Sequence, residues 1–262
     1  MAQEKRESSI NLYVLDGGVI DIADMDPFSD TGEYRGHPGR LAVSCFLIRH
    51  PRGLLVWDAG LGDEIASSPN GAELAPGFIG RVPTPLEAQI GTLGLTFKDI
   101  DLFAPSHVHP DHVGNANAFV HSTWVLNRRE MEWLDQNPTP AGVNPAQIKV
   151  RETATVKLIE DNFDVFGDGT VRILQIPGHT PGHQALSLKL EKAGPIILAG
   201  DLFHSRHNLE HRCIPVFNTS RAETLASIDR MQRIVANTGA RLVLSHAMED
   251  VEALPKFPAH LD

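Results

Sequence analysis

The stretch Ser106-His107-Val108-His109-Pro110-Asp111-His112 decides how this chain is interpreted. It directly follows a short apolar run, residues 102–105, that is typical of a buried strand. His107 and His109 are two residues apart in extended chain, so their side chains point to the same side and can grip one ion. A cluster of four ligand-type side chains serves no packing purpose, and burying it without a metal would be costly. The stretch therefore predicts a metal site at the end of a strand.

Further ligand-type side chains also follow predicted strands. They are His179 after residues 171–176, Asp201 after residues 195–199, and His246 after residues 241–244. Asp111 and His112 fall where the chain turns into a helix, which lets them face a second position beside the first. Imidazole and carboxylate ligands without thiolate suit a borderline-soft divalent ion, so we expect two Zn²⁺ ions, with Fe, Co or Mn as alternatives. Two ions need more than four ligands, and Asp201 supplies a carboxylate able to bridge them.

The remaining pattern predicts a layered α/β or α+β fold in a single domain, residues 1–262, because strands come in runs with helices interposed and hairpins are frequent. Predicted strands cover residues 10–15, 41–48, 54–58, 102–105, 124–127, 171–176, 185–190, 195–199 and 241–244. Predicted helices cover residues 85–93, 113–119, 128–134 and 220–238. Asp16-Gly17-Gly18 predicts a turn. Residues 62–84, rich in Gly, Pro, Ser and Ala, predict a long loop.

Composition limits the classes of function. The formal net charge of −10 repels phosphate backbones and argues against a nucleic-acid partner. The polar N-terminus does not resemble a signal peptide, and no apolar run approaches the roughly 20 residues that span a bilayer, so we expect a cytoplasmic protein without a membrane partner. The two cysteines exclude a disulfide framework. A small-molecule substrate is expected, and a homodimer is left open.

The order His-x-His-x-Asp-His, Gly-His, Gly-Asp and Ser-His resembles the metallo-β-lactamase superfamily over roughly residues 12–246. Within it, Pro177-Gly-His-Thr-Pro-Gly-His-Gln, Ala199-Gly-Asp and Leu244-Ser-His are most similar to the N-acyl-homoserine lactonases. The resemblance implies a four-layer αβ/βα sandwich with the metals at one edge between the two sheets. It also implies a ligand set: His107, His109 and His179 for one ion, Asp111, His112 and His246 for the other, and Asp201 as the bridge.

The chain departs from the lactonase pattern at His204, where those enzymes commonly carry a tyrosine that contacts the substrate carbonyl. We expect His204 to stabilise the oxyanion; the alternative is a surface histidine in a loop, like His207 and His211. Asp58, in Asp-Ala-Gly, either orients a metal ligand or satisfies the amides of its own turn. His183 is either a group that supports the ligands or a satisfied structural histidine.

The predicted function is that of a dinuclear metal-dependent hydrolase that opens an N-acyl-homoserine lactone or a related lactone, an activity known as quorum quenching. A metal-bridging hydroxide would attack the carbonyl, and Asp111 or Asp201 would relay the proton to the departing alkoxide. Hydrolysis of organophosphates (phosphotriesters) or of other esters on the same two-metal site ranks second. A thioester hydrolase ranks lower, because only 16 residues follow His246, too few for the glutathione-binding segment of a glyoxalase II. A β-lactamase and a non-catalytic metal sensor also rank lower.

The sequence also suggests which segments form the substrate pocket. The predicted walls are residues 24–39, 62–92 and 137–150, because long irregular segments in compact domains often line a functional site. Phe28, Phe78, Ile79 and Trp133 are the candidate apolar contacts.

Overall fold

The structure is a computed structural model that describes residues 9–262. The strands are β1 (Asn11–Ile22), β2 (Gly39–His50), β3 (Gly53–Trp57), β4 (Ala72–Ala75), β5 (Phe78–Arg81), β6 (Leu102–Ala104), β7 (Thr123–Asn127), β8 (Thr155–Ile159), β9 (Phe163–Asp164), β10 (Val171–Gln175), β11 (Gln184–Leu190), β12 (Gly194–Leu198), β13 (Arg241–Val243) and β14 (His260–Leu261). The α-helices are α1 (Leu86–Thr92), α2 (Pro110–Val113), α3 (Arg128–Leu134), α4 (Arg206–His211), α5 (Arg221–Thr238) and α6 (Met248–Glu252). Short 3₁₀ helices cover Asp26–Phe28, Asp63–Ser67, Phe97–Asp99, Ala116–Phe119, Pro145–Glu152 and Gly200–Leu202.

The strands form two sheets. The first has the order β4-β5-β1-β2-β3-β6-β7-β8, with β14 also paired to β1, and the second has the order β13-β12-β11-β10-β9. β3 and β6 run parallel in the first sheet, and β12 and β13 run parallel in the second. Because parallel strands end at the same edge, residues that follow β3, β6, β12 and β13 can meet there.

Alternating side chains divide the core into layers. Phe46 and Ile48 of β2 point into the cluster between the two sheets, whereas Leu47 points into the cluster beneath α1 and α3. Leu198 of the second sheet packs between the sheets, and its neighbour Ile197 packs against α5. The result is a helix, sheet, sheet, helix sandwich, as the family resemblance implied. No helix within residues 9–262 is both long enough and apolar enough to cross a membrane.

Three local predictions were wrong. Asp16-Gly17-Gly18 is not a turn but a bulge inside β1: the register against β2 shifts between Asp16 and Gly18, and the Asp16 carboxylate accepts the Gly18 amide at 2.9 Å. Residues 62–84 are not one loop, since β4 and β5 form a hairpin there. The helix predicted over residues 113–119 breaks after Val113, because the Asn115 side chain donates to the carbonyls of Ala59 and Leu61.

Candidate metal centre

The first cluster of ligand-type atoms joins two loops that belong to different sheets. His107 and His109 follow β6, and His179 lies between β10 and β11. His107 Nε2 is 2.9 Å from His109 Nδ1 and 3.2 Å from His179 Nε2, and the latter is 2.9 Å from His109 Nδ1. Ligands about 2.0 to 2.1 Å from one tetrahedral ion lie about 3.3 to 3.4 Å apart, so the three nitrogens are close to the spacing of a zinc site.

The second cluster lies beside the first. His112 Nε2 is 3.3 Å from His246 Nε2, and Asp111 Oδ2 is 3.7 Å and 3.6 Å from these two nitrogens. His112 is on α2, directly after the His-x-His pair, and His246 follows β13 at the same edge. Each cluster could hold an ion, the first with Asp201 as a fourth member, and Asp201, His204 and His246 form a third overlapping group with ligand spacing.

Asp201, which follows β12, lies between the clusters. Its Oδ2 is 3.3 Å from His179 Nε2, and its Oδ1 is 3.1 Å from both His112 Nε2 and His246 Nε2. Oδ1 is buried and forms no hydrogen bond with any described residue despite these distances. A buried carboxylate oxygen without a donor is costly in a protein interior, and two neighbouring cations would satisfy it. The donor set therefore fits a pair of divalent ions with Asp201 between them.

The outward ring nitrogens of the clustered histidines have fixed partners. His179 Nδ1 lies 2.9 Å from Asn218 Oδ1, His246 Nδ1 lies 2.7 Å from the Ala42 carbonyl, and His112 Nδ1 lies 3.1 Å from Asp58 Oδ2. Because each partner accepts a proton from Nδ1, Nε2 is the nitrogen that can ligate, and a metal would displace any proton held there. The outer contacts thus prepare the tautomer that a metal requires.

Asp58 and His183 both support the cluster. The Asp58 carboxylate is buried and accepts the Ser106 amide at 2.6 Å as well as facing His112, so it orients a ligand and the motif loop and is not confined to its own turn. His183 Nε2 accepts the amide of Asp201 at 2.9 Å, and its Nδ1 donates to the Ile176 carbonyl. His183 is therefore fully satisfied, and one of its bonds holds the central aspartate.

The electrostatics of the two clusters differ. Burial lowers the pKa of His107 and His179 well below the usual value and lowers the pKa of His109 to about 4, so these rings are neutral. Burial also disfavours charge on His112, but the Asp201 and Asp111 carboxylates outweigh it and raise the His112 pKa well above the usual value. The negative charge that attracts a proton here would equally attract a cation.

His204 belongs to the site and not to the surface. Its side chain is 3% exposed, its Nε2 lies 3.1 Å from Asp201 Oδ2, and its ring stacks on His246 with centroids 5.3 Å apart. Its Nδ1 is buried and has no hydrogen-bond partner among residues 9–262. His207 and His211, in contrast, lie on α4 and not in a loop, and they stack on each other.

A cavity of about 470 Å³ opens over the clusters. It is lined mainly by apolar side chains and by ligand-type residues, namely Ile20, Phe28, Leu41, Leu74, Ala75, Phe78, His109, Pro110, Asp111, Ala141, Gly142, His179, Asp201, His204, Phe217 and His246. Each of the three predicted wall segments contributes to this lining.

Individual predictions for the cavity met different outcomes. Phe28 and Phe78 line it, whereas Ile79 and Trp133 do not, although the Trp133 ring lies 6.1 Å from that of His109. Phe217 was missed, and it packs edge to face on Phe28 at 5.2 Å. The only sequence signal for it was the apolar run at residues 213–217, in the connection between α4 and α5.

Comparison with known proteins agrees with this architecture. The profile of the metallo-beta-lactamase superfamily matches residues 38–246. The chain belongs to that superfamily. It is similar to the N-acyl homoserine lactonase AttM of Azorhizobium caulinodans, at 28% identity over 97% of this chain and 100% of that protein. An N-acyl homoserine lactonase from a Bacillus species is 27% identical over 95% of this chain and 98% of its own length.

Solved structures show the same metallo-beta-lactamase fold. A variant of B. thuringiensis AiiA with N-decanoyl-L-homoserine bound at the active site has a TM-score of 0.84 at 22% identity, covering 97% of this chain and 100% of that one. AidC, a dizinc quorum-quenching lactonase in complex with a product, has a TM-score of 0.70 at 20% identity, covering 93% and 90%. The family and fold inferred from the histidine motifs are confirmed.

Proposed function

We propose that this protein is a dinuclear metal-dependent hydrolase that opens the ring of N-acyl-homoserine lactones or closely related lactones. The observation that carries the proposal is the position of Asp201, whose carboxylate lies within 3.3 Å of ligand-type nitrogens of both buried clusters, His179 in the first and His112 and His246 in the second, beside a mainly apolar cavity. Similarity to the lactonases AttM and AiiA over nearly the whole chain supports the choice of substrate.

In this proposal His107, His109 and His179 hold one ion, Asp111, His112 and His246 hold the other, and Asp201 contacts both. Zinc is the proposed metal, since imidazole and carboxylate ligands suit it and AidC is a dizinc enzyme. Bound there, two such ions would polarise an ester carbonyl and lower the pKa of water to about 7.

The chain's own residues perform the remaining steps. His204 Nδ1 is buried without a partner among the described residues, and its Nε2 faces Asp201. With Asp201 neutralised by bound ions, the imidazole proton can reside on Nδ1, which would then donate a hydrogen bond to the carbonyl oxygen of the substrate as negative charge develops on it. Asp111 lines the cavity with its side chain 18% exposed, which allows it to pass a proton to the departing ring alkoxide. Asp201 is a second candidate for this proton transfer. Because the alkoxide remains attached to the acyl product, the reaction gives a hydroxy acid.

The cavity supplies the selectivity for an acylated lactone. Phe28, Phe78 and Phe217 form an aromatic wall on which an acyl chain can pack, and apolar burial stabilises the bound chain by about 0.8 kcal/mol for each methylene. A small polar ester would leave this wall exposed to water. Chain-bearing lactones therefore fit the cavity better than short esters do.

A metal analysis combined with a substrate screen tests the proposal. Protein loaded with Zn²⁺ is expected to contain two ions per chain and to open acyl-homoserine lactones of different chain lengths. Thioesters, β-lactams and phosphotriesters complete the screen. Preferential turnover of a phosphotriester would replace the proposed substrate, and two bound ions without turnover of any of these compounds would favour a metal sensor.

A further inference from the structure

Glu130, on α3, occupies a position that the motifs did not point to. Its side chain is only 2% exposed, yet the helix lies outside the segments that supply the ligands. Its Oε1 accepts the amide of Val108 at 3.0 Å, and its Oε2 accepts the amide of Gly182 at 2.9 Å. One carboxylate thus joins two loops that come from different sheets.

The two loops are those that carry the first cluster. Val108 stands between His107 and His109, and Gly182 closes the short loop that begins at His179. The residue after Gly182 is His183, whose Nε2 accepts the amide of Asp201 at 2.9 Å. The Glu130 carboxylate is therefore connected to His107 and His109 through Val108, and to His179 through the loop that ends at Gly182. It is also connected to Asp201 through His183.

Close packing of the loop on α3 depends on Gly182. A Cβ atom at this position would lie 2.5 Å from the Glu130 amide nitrogen and 2.6 Å from the Asn127 side-chain oxygen. Asn127 caps the same helix, accepting the amides of Arg129 and Glu130. The start of α3 and the His179 loop are thus in backbone contact, which leaves the Glu130 carboxylate little freedom to move.

No cation explains the buried charge. The neighbouring Arg129 is turned outward to Glu223, and no lysine or arginine within residues 9–262 forms an ion pair with Glu130. Burial raises the pKa of Glu130 to about 7, and the Thr180 side chain and the two amide donors only partly oppose that effect. All the hydrogen-bond donors to this buried acid lie in the two ligand loops, so its position is better explained by the site than by stability alone.

We propose that Glu130 is a positioning residue that sets the distance between the His107–His109 segment and His179, and thereby the affinity of the first ion. The inference rests on the proposed function, since it assumes that these histidines bind a metal. Groups that orient metal ligands from outside the coordination shell change metal affinity by about 10- to 100-fold. We expect that loss of the Glu130 hydrogen bonds to Val108 and Gly182 lowers the affinity for the first ion by this factor. The affinity for the second ion should stay nearly unchanged.

The test compares Glu130→Gln with the unaltered protein. The glutamine keeps the volume and can accept one amide, but its own NH₂ then faces the other amide, so one loop is released. Stepwise Co²⁺ or Zn²⁺ binding is measured against a chelator, both in the native background and with His246→Gln to remove most of the second site. Folding is checked by circular dichroism. Glu130→Asp, which keeps the charge but is one methylene shorter, is the second variant and is expected to act in the same direction.

Gln89→Glu is the matched control. Gln89 is likewise buried and joins two segments through backbone hydrogen bonds, to Asp16 and Thr84, but it does not contact the metal centre. Gln89→Glu should lower the free energy of unfolding without changing the affinity for either ion.

Turnover at saturating substrate should fall in the Glu130 variants, with KM affected less, because the cavity is kept.

The outcomes separate the inference from the function. Unaltered protein that binds no ions and opens no lactone would remove the proposed function itself. If unaltered protein binds two ions, and folded Glu130→Gln or Glu130→Asp binds the first as tightly, the positioning role is wrong. Equal weakening by the Glu130 variants and by Gln89→Glu would also overturn it, since it would indicate a general loss of stability.

Discussion

The Asp58 carboxylate holds the ring of His112 from the side opposite the candidate metal position. Its Oδ2 lies 3.1 Å from His112 Nδ1, and its Oδ1 accepts the amide of Ser106 at 2.6 Å. Asp58 has a positive φ of 59°, a conformation that few residues other than Gly, Asn and Asp adopt readily. The backbone conformation of Asp58, directly after β3, therefore places its carboxylate where it holds the His112 proton on Nδ1.

Asp58→Asn is expected to remove the second ion while leaving the backbone intact. Asparagine tolerates the positive φ and can still accept the Ser106 amide with its oxygen. Its NH₂ group would then donate to His112 Nδ1 and move the imidazole proton to Nε2, the nitrogen that must be free for a metal. We expect a loss of at least 10- to 100-fold in affinity for one of two ions, measured by chelator competition.

Asp164→Asn is the control for this substitution. Asp164 also accepts two backbone amides, those of Gly167 and Gly169, but in a hairpin loop remote from the clusters. It should keep both ions. Retention of two tightly bound ions in Asp58→Asn would show that the contact does not select the tautomer.

His204→Ala is expected to lower turnover without loss of metal. The residue contacts Asp201 but is not among the ligands assigned to the two ions, although Asp201, His204 and His246 also have ligand spacing, and its Nδ1 has no partner among the described residues. Removing one donor to a developing oxyanion costs about 10²-fold in kcat or more. His211→Ala, on the exposed end of α4, is the matched control. An unchanged kcat would exclude His204 from the reaction, and loss of an ion would make it a ligand.

Much of this centre could be predicted because its signals are local. An apolar run followed at once by His-x-His or Gly-Asp shows both where a strand ends and which atoms are exposed at its edge. His107 and Asp201 are more than ninety residues apart, but each is marked by its own strand. The layers followed from the same alternation, as β2 illustrates with Ile48 between the sheets and Leu47 beneath the helices.

What could not be predicted depends on contacts between distant segments. Glu130 looks like an ordinary residue in the first turn of a helix, and only its bonds to Val108 and Gly182 reveal its place. β4 and β5 lack a buried apolar face, since three of the four residues of β4 are exposed, and so they carry no strand pattern. The β1 bulge resembles a turn because Asp16 and Gly18 have the same local chemistry in both.

Metal removal is expected to destabilise the protein substantially. The ions bind the folded chain, where seven ligand-type side chains converge, far better than the unfolded one, so they add to the free energy of unfolding by mass action. At free metal a thousand times above Kd the gain is about 4 kcal/mol for each ion. Denaturant unfolding with and without chelator measures it. Asp201→Ala should lose most of this stabilisation by metal, and both Asp201→Ala and His109→Ala should abolish hydrolysis. Equal stability of the unaltered protein with and without metal would contradict the proposed site.

The pKa of Glu130 predicts a pH dependence of stability in the metal-free protein. Burial raises this pKa from 4.5 to about 7, so the folded protein holds the proton more tightly than the unfolded chain does. The associated stability is fully present below pH 4.5 and is lost as the pH rises through 7, a change of about 3 kcal/mol. The measurement is the difference in free energy of unfolding between unaltered protein and Glu130→Gln. Parallel pH curves for the two proteins would show that Glu130 titrates normally.

Phe217→Ala is expected to reduce activity in proportion to the length of the acyl chain. Phe217 packs against Phe28 at the cavity wall and is 42% exposed, so its ring is available to cover a chain that extends outward from the metals. Loss of contact with two or three methylenes costs about 2 kcal/mol, or roughly 30-fold in kcat/KM for a decanoyl lactone. For a butanoyl lactone, whose chain ends short of the rim, the loss should be only about twofold. Val216→Ala, at an adjacent side chain that is 64% exposed and does not line the cavity, should change neither. An equal loss of kcat/KM for both chain lengths would show that Phe217 supports the site as a whole and does not bind the acyl chain.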